Sequence, residues 1–530
     1  MSVSERPAPQ STRAIPAARP HRGSSLAPPE APVRQLPPPI PRNWPTAGGN
    51  VLRALTAVAI PFGLAADKPR AALVTTGVLV VFATLPIWLP SFLREAPGGA
   101  LLIAAGTIAV GTGFVLAWES NTDHLVSTSV GIRSAASLAT FIFGVGAMWW
   151  ASRIIGLDWV VLVFALTLLA DAATSPSTWS DNPWKFAFSF PVSLIVLTIA
   201  ARMRSTLVVL GALAVLGLYC VLHDSRSAFA MFVVVGLALL YQRLRRHQPR
   251  RPSSAAFIPA ALAVAATLYY TLTTLILSGA LGAGLKLRSE TQLESSGSLL
   301  LGGRPEWTVT LRLMREQPWG FGFGVQPAQA DINLGREGFA SIHLSSQENY
   351  LYNYVFNQIF RLHSITADLW AAAGFAGIAL MLVALWLLVI GLSESLSVRT
   401  GTAVLLYLCV RSIWDLGFSP IYSALPGVSL ALAVAVAAKS VARERLAGLD
   451  LGSRSRAKAG RRPPAATGSV AGAPPVTGAL PVTGALPVTG ALPVTGALPV
   501  TGPVTGSLPV RATGPATGSL TRPARGATAR

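Results

Sequence analysis

Residues 367–391 read ADLWAAAGFAGIALMLVALWLLVIG, twenty-five positions with a single charge, Asp368, near the entry. A helix needs about 20 mostly apolar residues to cross the hydrocarbon core of a bilayer, so this stretch predicts a membrane-spanning helix. Similar runs lie on either side of it. Further spans are expected near 48–66, 71–90, 99–118, 134–152, 154–172, 186–203, 205–222, 228–242, 254–277, 402–418 and 423–441. The expected fold is therefore all-α: a polytopic membrane bundle of about twelve helices with one large helical extracytoplasmic loop, 276–366.

Composition agrees. Of 530 residues, 52% are hydrophobic and 12% charged, and the mean hydropathy is +0.53. Soluble domains are about one-quarter charged, and a surface this poor in charge is stable where lipid solvates it. Cys220 and Cys409 both lie in apolar runs and read as buried small hydrophobes. They cannot build a disulfide framework or a zinc site.

The net charge of +20 is unevenly placed. Residues 1–50, the 243–251 turn and the tail beyond Val441 hold +4, +5 and +9, whereas 276–366 balances seven basic against seven acidic residues. Basic segments stay on the cytoplasmic side and are drawn to anionic headgroups. Both termini are thus expected in the cytoplasm of a multi-pass cell-membrane protein. Lys68 and Arg70 run against this pattern, partly offset by Asp67. The basic tails almost lack the aromatic platforms that nucleic-acid binding would want, and nucleic acid is excluded as a partner.

Three regions follow: a disordered arm over 1–47, the bundle over 48–441 and a disordered low-complexity tail over 442–530. Prolines such as those in PPPIPR, 37–42, stop a helix from propagating in the arm. No apolar core follows Met1, so the first span is expected to act as the insertion signal. In the tail LPVTG recurs at 480–484, 486–490, 492–496 and 498–502 within an LPVTGA repeat. The pentapeptide looks like a sortase signal, but no hydrophobic segment follows, and repeat slippage is the better account.

The loop carries its own signals. Pro305 suits the first position of a helix ending before Pro318. Ser345 and Glu348 form a capping box for a second helix over 348–362. Its Leu351, Val355, Ile359 and Leu362 face one way, to lie on the membrane or roof a cavity. Between the two, WGFGFG at 319–324 is a turn able to bring backbone close to a ligand.

Polar groups at the ends of membrane helices are functional candidates. In HDSRS, 223–227, Arg226 either anchors at the interface, paired with Asp224, or clamps a phosphate. In GGRPEW, 302–307, Arg304 precedes a helix N-terminus, a place suited to an anion. In LHS, 362–364, His363 can act as a general base toward a sugar hydroxyl; His343 is an alternative without a motif. Arg411 and Asp415, spaced i,i+4, read as a structural pair, while Asp158 and Asp171 stay open between a cavity and a neighbouring helix.

Taken together these pieces resemble the O-antigen ligase and O-antigen polymerase family of membrane glycosyltransferases. Ser225, Arg226 and Ser227 match its Ser-Arg-Ser-like element, and NPWKFAFSF at 182–190 its Asn-Pro segment. Arg304, Trp307, Pro318, Gly320 and Gly322 match the Arg, Trp and Pro-x-Gly-x-Gly of the loop. His363 and Ser364, then Gly374 and Gly377, match the closing His and Gly-x-x-Gly. The resemblance covers about 180–392. It departs at Ala372, where the family usually has a Glu, and if that Glu shapes acceptor binding the acceptor here differs or the member is divergent.

The resemblance implies a GT-C-like fold and transfer of glycan from a polyprenyl-pyrophosphate-linked donor to a glycan or lipid acceptor, without cofactor or metal. Arg226 and Arg304 would hold the pyrophosphate, with Ser225, Ser227, Trp307 and Ser364 completing the substrate site and His363 deprotonating the acceptor. The sequence is compatible with this: it has no D-x-D pair and no loop His/Asp/Glu cluster suited to a divalent cation. The rival reading is a multi-pass transporter or flippase of lipid-linked or polysaccharide substrates, which predicts repeated halves with broken helices at the midplane. No repeated halves are visible.

Overall fold

Glycine and proline decide where the apolar runs continue and where they break. A computed structural model describes residues 47–460 apart from 68–73, 176–181, 245–262, 298–301, 345–347 and the single positions 264, 265, 268, 272, 281 and 399. The regular elements among these residues are helical. The apolar ones are α1 (Ala47–Ala65), α2 (Thr76–Ala83), α3 (Leu85–Glu95), α4 (Gly99–Ser120), α5 (Thr128–Ile155), α6 (Leu157–Thr174), α7 (Ser189–Arg202), α8 (Thr206–Leu222) and α9 (Arg226–Leu244). The loop contributes α10 (Ala283–Ser296), α11 (Glu306–Glu316) and α12 (Gln329–Ala340), and the chain continues through α13 (Ile365–Ser397), α14 (Ala403–Phe418) and α15 (Ile421–Gly460).

Seven helices among the described residues are long and apolar enough to cross a membrane, eight if a bent pair counts as one span. That pair is α2 and α3, bent by 70°. Thr84 closes α2, and Pro86 opens α3 without an N–H to carry the ladder across. The expected span over 71–90 is therefore two short helices. Gly49–Ala65 and Thr206–Leu222 are apolar but shorter, and α14 has 16 residues. The expected 254–277 span, the 245–251 part of the basic turn, Ser345 of the capping box, and the terminal arm and repeat tail lie wholly or mainly outside the described residues.

Helix α13 packs against α4, α14 and α15, and α5 packs against α1 and α15. Arg411 Nε lies 3.3 Å from Asp415 Oδ2, as the i,i+4 spacing predicted. Asp158 accepts from Arg202 Nε at 3.1 Å, so it braces α6 against α7.

Inside α13 the backbone leaves helical geometry at Gly374, with φ +58°. Such a break frees carbonyls that lipid cannot satisfy. The 319–324 turn satisfies one: Phe321 and Gly322 both donate to the Ala371 carbonyl, at 2.8 and 2.9 Å. Phe323 donates to Gly113 of α4 at 3.0 Å, and Trp370 Nε1 to Pro318 at 3.0 Å. A Cβ at Gly322 would stand 2.1 Å from the Ala117 nitrogen. The glycines thus admit the protein's own backbone, where the sequence suggested a ligand.

The second loop helix is also shorter than expected. After Glu348–Tyr350 and a π turn over Leu351–Val355 the helix stops. Gln358 and His363 then take left-handed φ of 52° and 54°, a conformation that ends a helical ladder. Phe360 turns in to stack on Phe321, centroids 4.1 Å apart. Leu351, Val355 and Leu362 are buried with Val309, Leu313 and Phe339 in a core that the loop shares with Ala117 of α4 and Trp370 of α13.

Candidate active site

Helix α11 starts at Glu306, an acid in the first turn that suits the positive end of the helix. The residue is 1% exposed. Tyr350 Oη donates to Glu306 Oε1, and His363 Nδ1 lies 3.5 Å from the same oxygen. The π turn brings Tyr350 in, and the left-handed turn at His363 aims its ring at α11. Two residues that sequence reasoning did not single out, Glu306 and Tyr350, therefore form one group with His363.

Electrostatics around this group are mixed. Burial pushes the His363 imidazole below its ordinary value. The Glu306 carboxylate and the Tyr354 carbonyl pull it back up, while Arg304 and Arg361 add to the lowering. Burial raises the Tyr350 phenol, the Glu306 charge adds to this, and Arg304 opposes it. Arg304 therefore acts on both groups through space. A neutral imidazole beside a carboxylate, with a guanidinium in range, can accept a proton and stabilise the cation that results.

The neighbouring candidates have other partners. Trp307 Nε1 donates to the Gly417 carbonyl at 3.1 Å. Ser364 is fully buried: its Oγ caps α13 by accepting from Ala367 N and donates to the Leu416 carbonyl at 3.2 Å. Both bonds fasten the site to the end of α14. Arg226 opens α9, donating through Nη1 to Ser289 of α10 at 3.0 Å and through Nε to Asp224 at 3.4 Å. Ser225 is buried and Ser227 half-buried in the same turn. The structure so gathers Arg304, Glu306, Tyr350 and His363, while Arg226 is seated against α10. Helix α14 borders both: Tyr407 stacks on Phe232 of α9, 5.1 Å between centroids. His343 is exposed.

Asp368, the lone charge of its apolar run, is a signal in itself, without a motif around it. Its Oδ1 accepts from Leu362 N at 2.6 Å and its Oδ2 from Ile421 N at 3.0 Å. It fixes the segment entering α13 against the start of α15. One turn on, Ala372 lines a cleft with Asp368, Gly322, Phe360, Ser134 and Tyr422. Among the described residues no three His, Cys, Asp or Glu gather as metal ligands.

None of the curated proteins compared matches the chain. A family model described as O-Antigen ligase matches residues 211–382, from α8 through the long loop to the middle of α13, and so takes in Arg226, Arg304, Glu306, His363 and Gly374. Over that stretch the chain is similar to the O-antigen ligase family.

Proposed function

We propose that the chain is a membrane glycosyltransferase that moves glycan from a polyprenyl-pyrophosphate-linked donor to a glycan or lipid acceptor on the extracytoplasmic side. The observation that carries this reading is the joining of His363 to Glu306, beside Arg304, within the region that matches the family. His363, kept neutral by burial, takes the proton of the acceptor hydroxyl as that oxygen attacks the anomeric carbon. The bond from this carbon to the pyrophosphate oxygen breaks, and its electron pair leaves with the polyprenyl pyrophosphate. Arg304 and Arg226 offset the charge released, as preorganised cations at a site of developing negative charge. Trp307 and Ser364 fasten the elements bearing these groups, and Ser225 and Ser227 flank Arg226 in its turn. A bundle of apolar helices suits a donor whose tail stays in lipid.

The test is the glycan profile of cells in which His363→Ala replaces the wild-type chain. Loss of a general base lowers rates by about 10²–10⁴-fold, so the conjugate or polymer should vanish at normal expression. An unchanged profile removes the assignment.

A further inference from the structure

Glu306 is buried, charged in its effect on its neighbours and only half satisfied. One oxygen, Oε1, receives Tyr350 and faces His363. The other, Oε2, is buried with no hydrogen-bond partner among the described residues. Leaving a buried acceptor unpaired costs about 1–3 kcal/mol, more for a charged one. An architectural acid avoids that cost, as Asp368 does by accepting a backbone N–H on each oxygen. A carboxylate held this way, against two titratable side chains, is arranged for a charge that appears only during turnover.

We propose that Glu306 is a positioning residue of the transfer site: it holds the His363 ring at the acceptor and stabilises the imidazolium formed when the acceptor hydroxyl gives up its proton. This rests on the reading of His363 as the base. The proton given up by the acceptor goes to the His363 imidazole. The groups facing the imidazole are few and point both ways. Glu306 and the Tyr354 carbonyl favour its cation, whereas Arg304 and Arg361 oppose it. Tyr350 competes for the same Glu306 oxygen and so moderates the pull. That balance is consistent with a base that is neutral while waiting and cationic only in the reaction.

The experiment uses the full-length chain in nanodiscs, with diethyl pyrocarbonate as the probe of neutral imidazole and mass spectrometry to read modification at His363 against pH. In Glu306→Gln the titration midpoint should fall by about one unit, because the opposite charge that favours the cation is gone. In Tyr350→Phe it should rise, because the carboxylate loses a donor and its charge is less dispersed. Midpoints unchanged in both variants would overturn the proposal, as would a fall in Tyr350→Phe. In cells, Glu306→Gln should cut glycan transfer by about tenfold or more, and Glu306→Asp should restore part of it. Glycan lost with His363→Ala yet normal with Glu306→Gln overturns the positioning role alone. Glycan normal with His363→Ala overturns the reading beneath it.

Discussion

Asp368 and Glu306 are acids buried at the loop end of the same bundle, 6% and 1% exposed, and they are treated in opposite ways. Asp368 sits between two backbone N–H groups on different segments, one before α13 and one at the start of α15. Each oxygen is used, and the carboxylate works as a clasp. Glu306 accepts no such pair. It shares one oxygen between a phenol and an imidazole and leaves the other without a partner. Burial alone therefore does not mark an acid as functional. Which groups are offered to it, and whether its own capacity is filled, separates a clasp from a working group.

The widest separation between the two should come from Arg304→Ala. Removing a preorganised cation from a site of developing charge costs about 10²–10³-fold in rate. Glycan transfer should fall by that order while the melting temperature of the purified chain stays near wild type. The His363 midpoint should rise, since a cation that disfavours imidazolium is gone. A large loss of thermal stability would show instead that Arg304 belongs with Asp368 on the structural side.

Asp368→Asn should act the other way round. The amide keeps one acceptor and brings a donor toward a backbone N–H, so a buried hydrogen bond is lost and a donor left unpaired. The expected cost is about 2–3 kcal/mol of stability, read as a lower unfolding temperature. His363 should titrate closer to its wild-type midpoint here than in Glu306→Gln. An equal or larger shift would break the contrast between the two acids.

Trp307→Phe is the smallest of these effects. It removes the indole bond to the Gly417 carbonyl, about 1 kcal/mol, and loosens α11 from α14. A modest drop in unfolding temperature is expected, with transfer reduced less than in Arg304→Ala.

The helices were legible because hydrophobic length is a local property. The spans read at 99–118, 154–172, 205–222 and 402–418 fall within one to three residues of α4, α6, α8 and α14. Arg304 and His363 were legible as motif residues, and Arg411 with Asp415 as a helical pair. Glu306 stands in the same GGRPEW motif, but nothing local tells a helix-starting acid from one aimed at an imidazole 57 residues later. The length of the 348–362 helix was misread for a related reason. Its apolar spacing is helical, but Phe356 and Phe360 turn into the loop core where the ladder stops.

The 319–324 turn shows the same division of labour. Its glycines announced a close backbone approach, and the sequence could go no further. Only the fold decided that the partners are Ala371 and Gly113, because the break at Gly374 leaves a carbonyl in an apolar surrounding that must be met.

The sequence by itself determined what depends on short-range order and on solvent: an all-helical chain, its apolar runs and a family-like pattern over about 180–392. The tertiary structure decided what depends on pairing across long separations. It placed an acid against a histidine, filled one buried carboxylate while leaving another half-open, and closed a broken helix with a distant turn. Burial energies attach to neighbours in space, and a one-dimensional pattern does not name those neighbours.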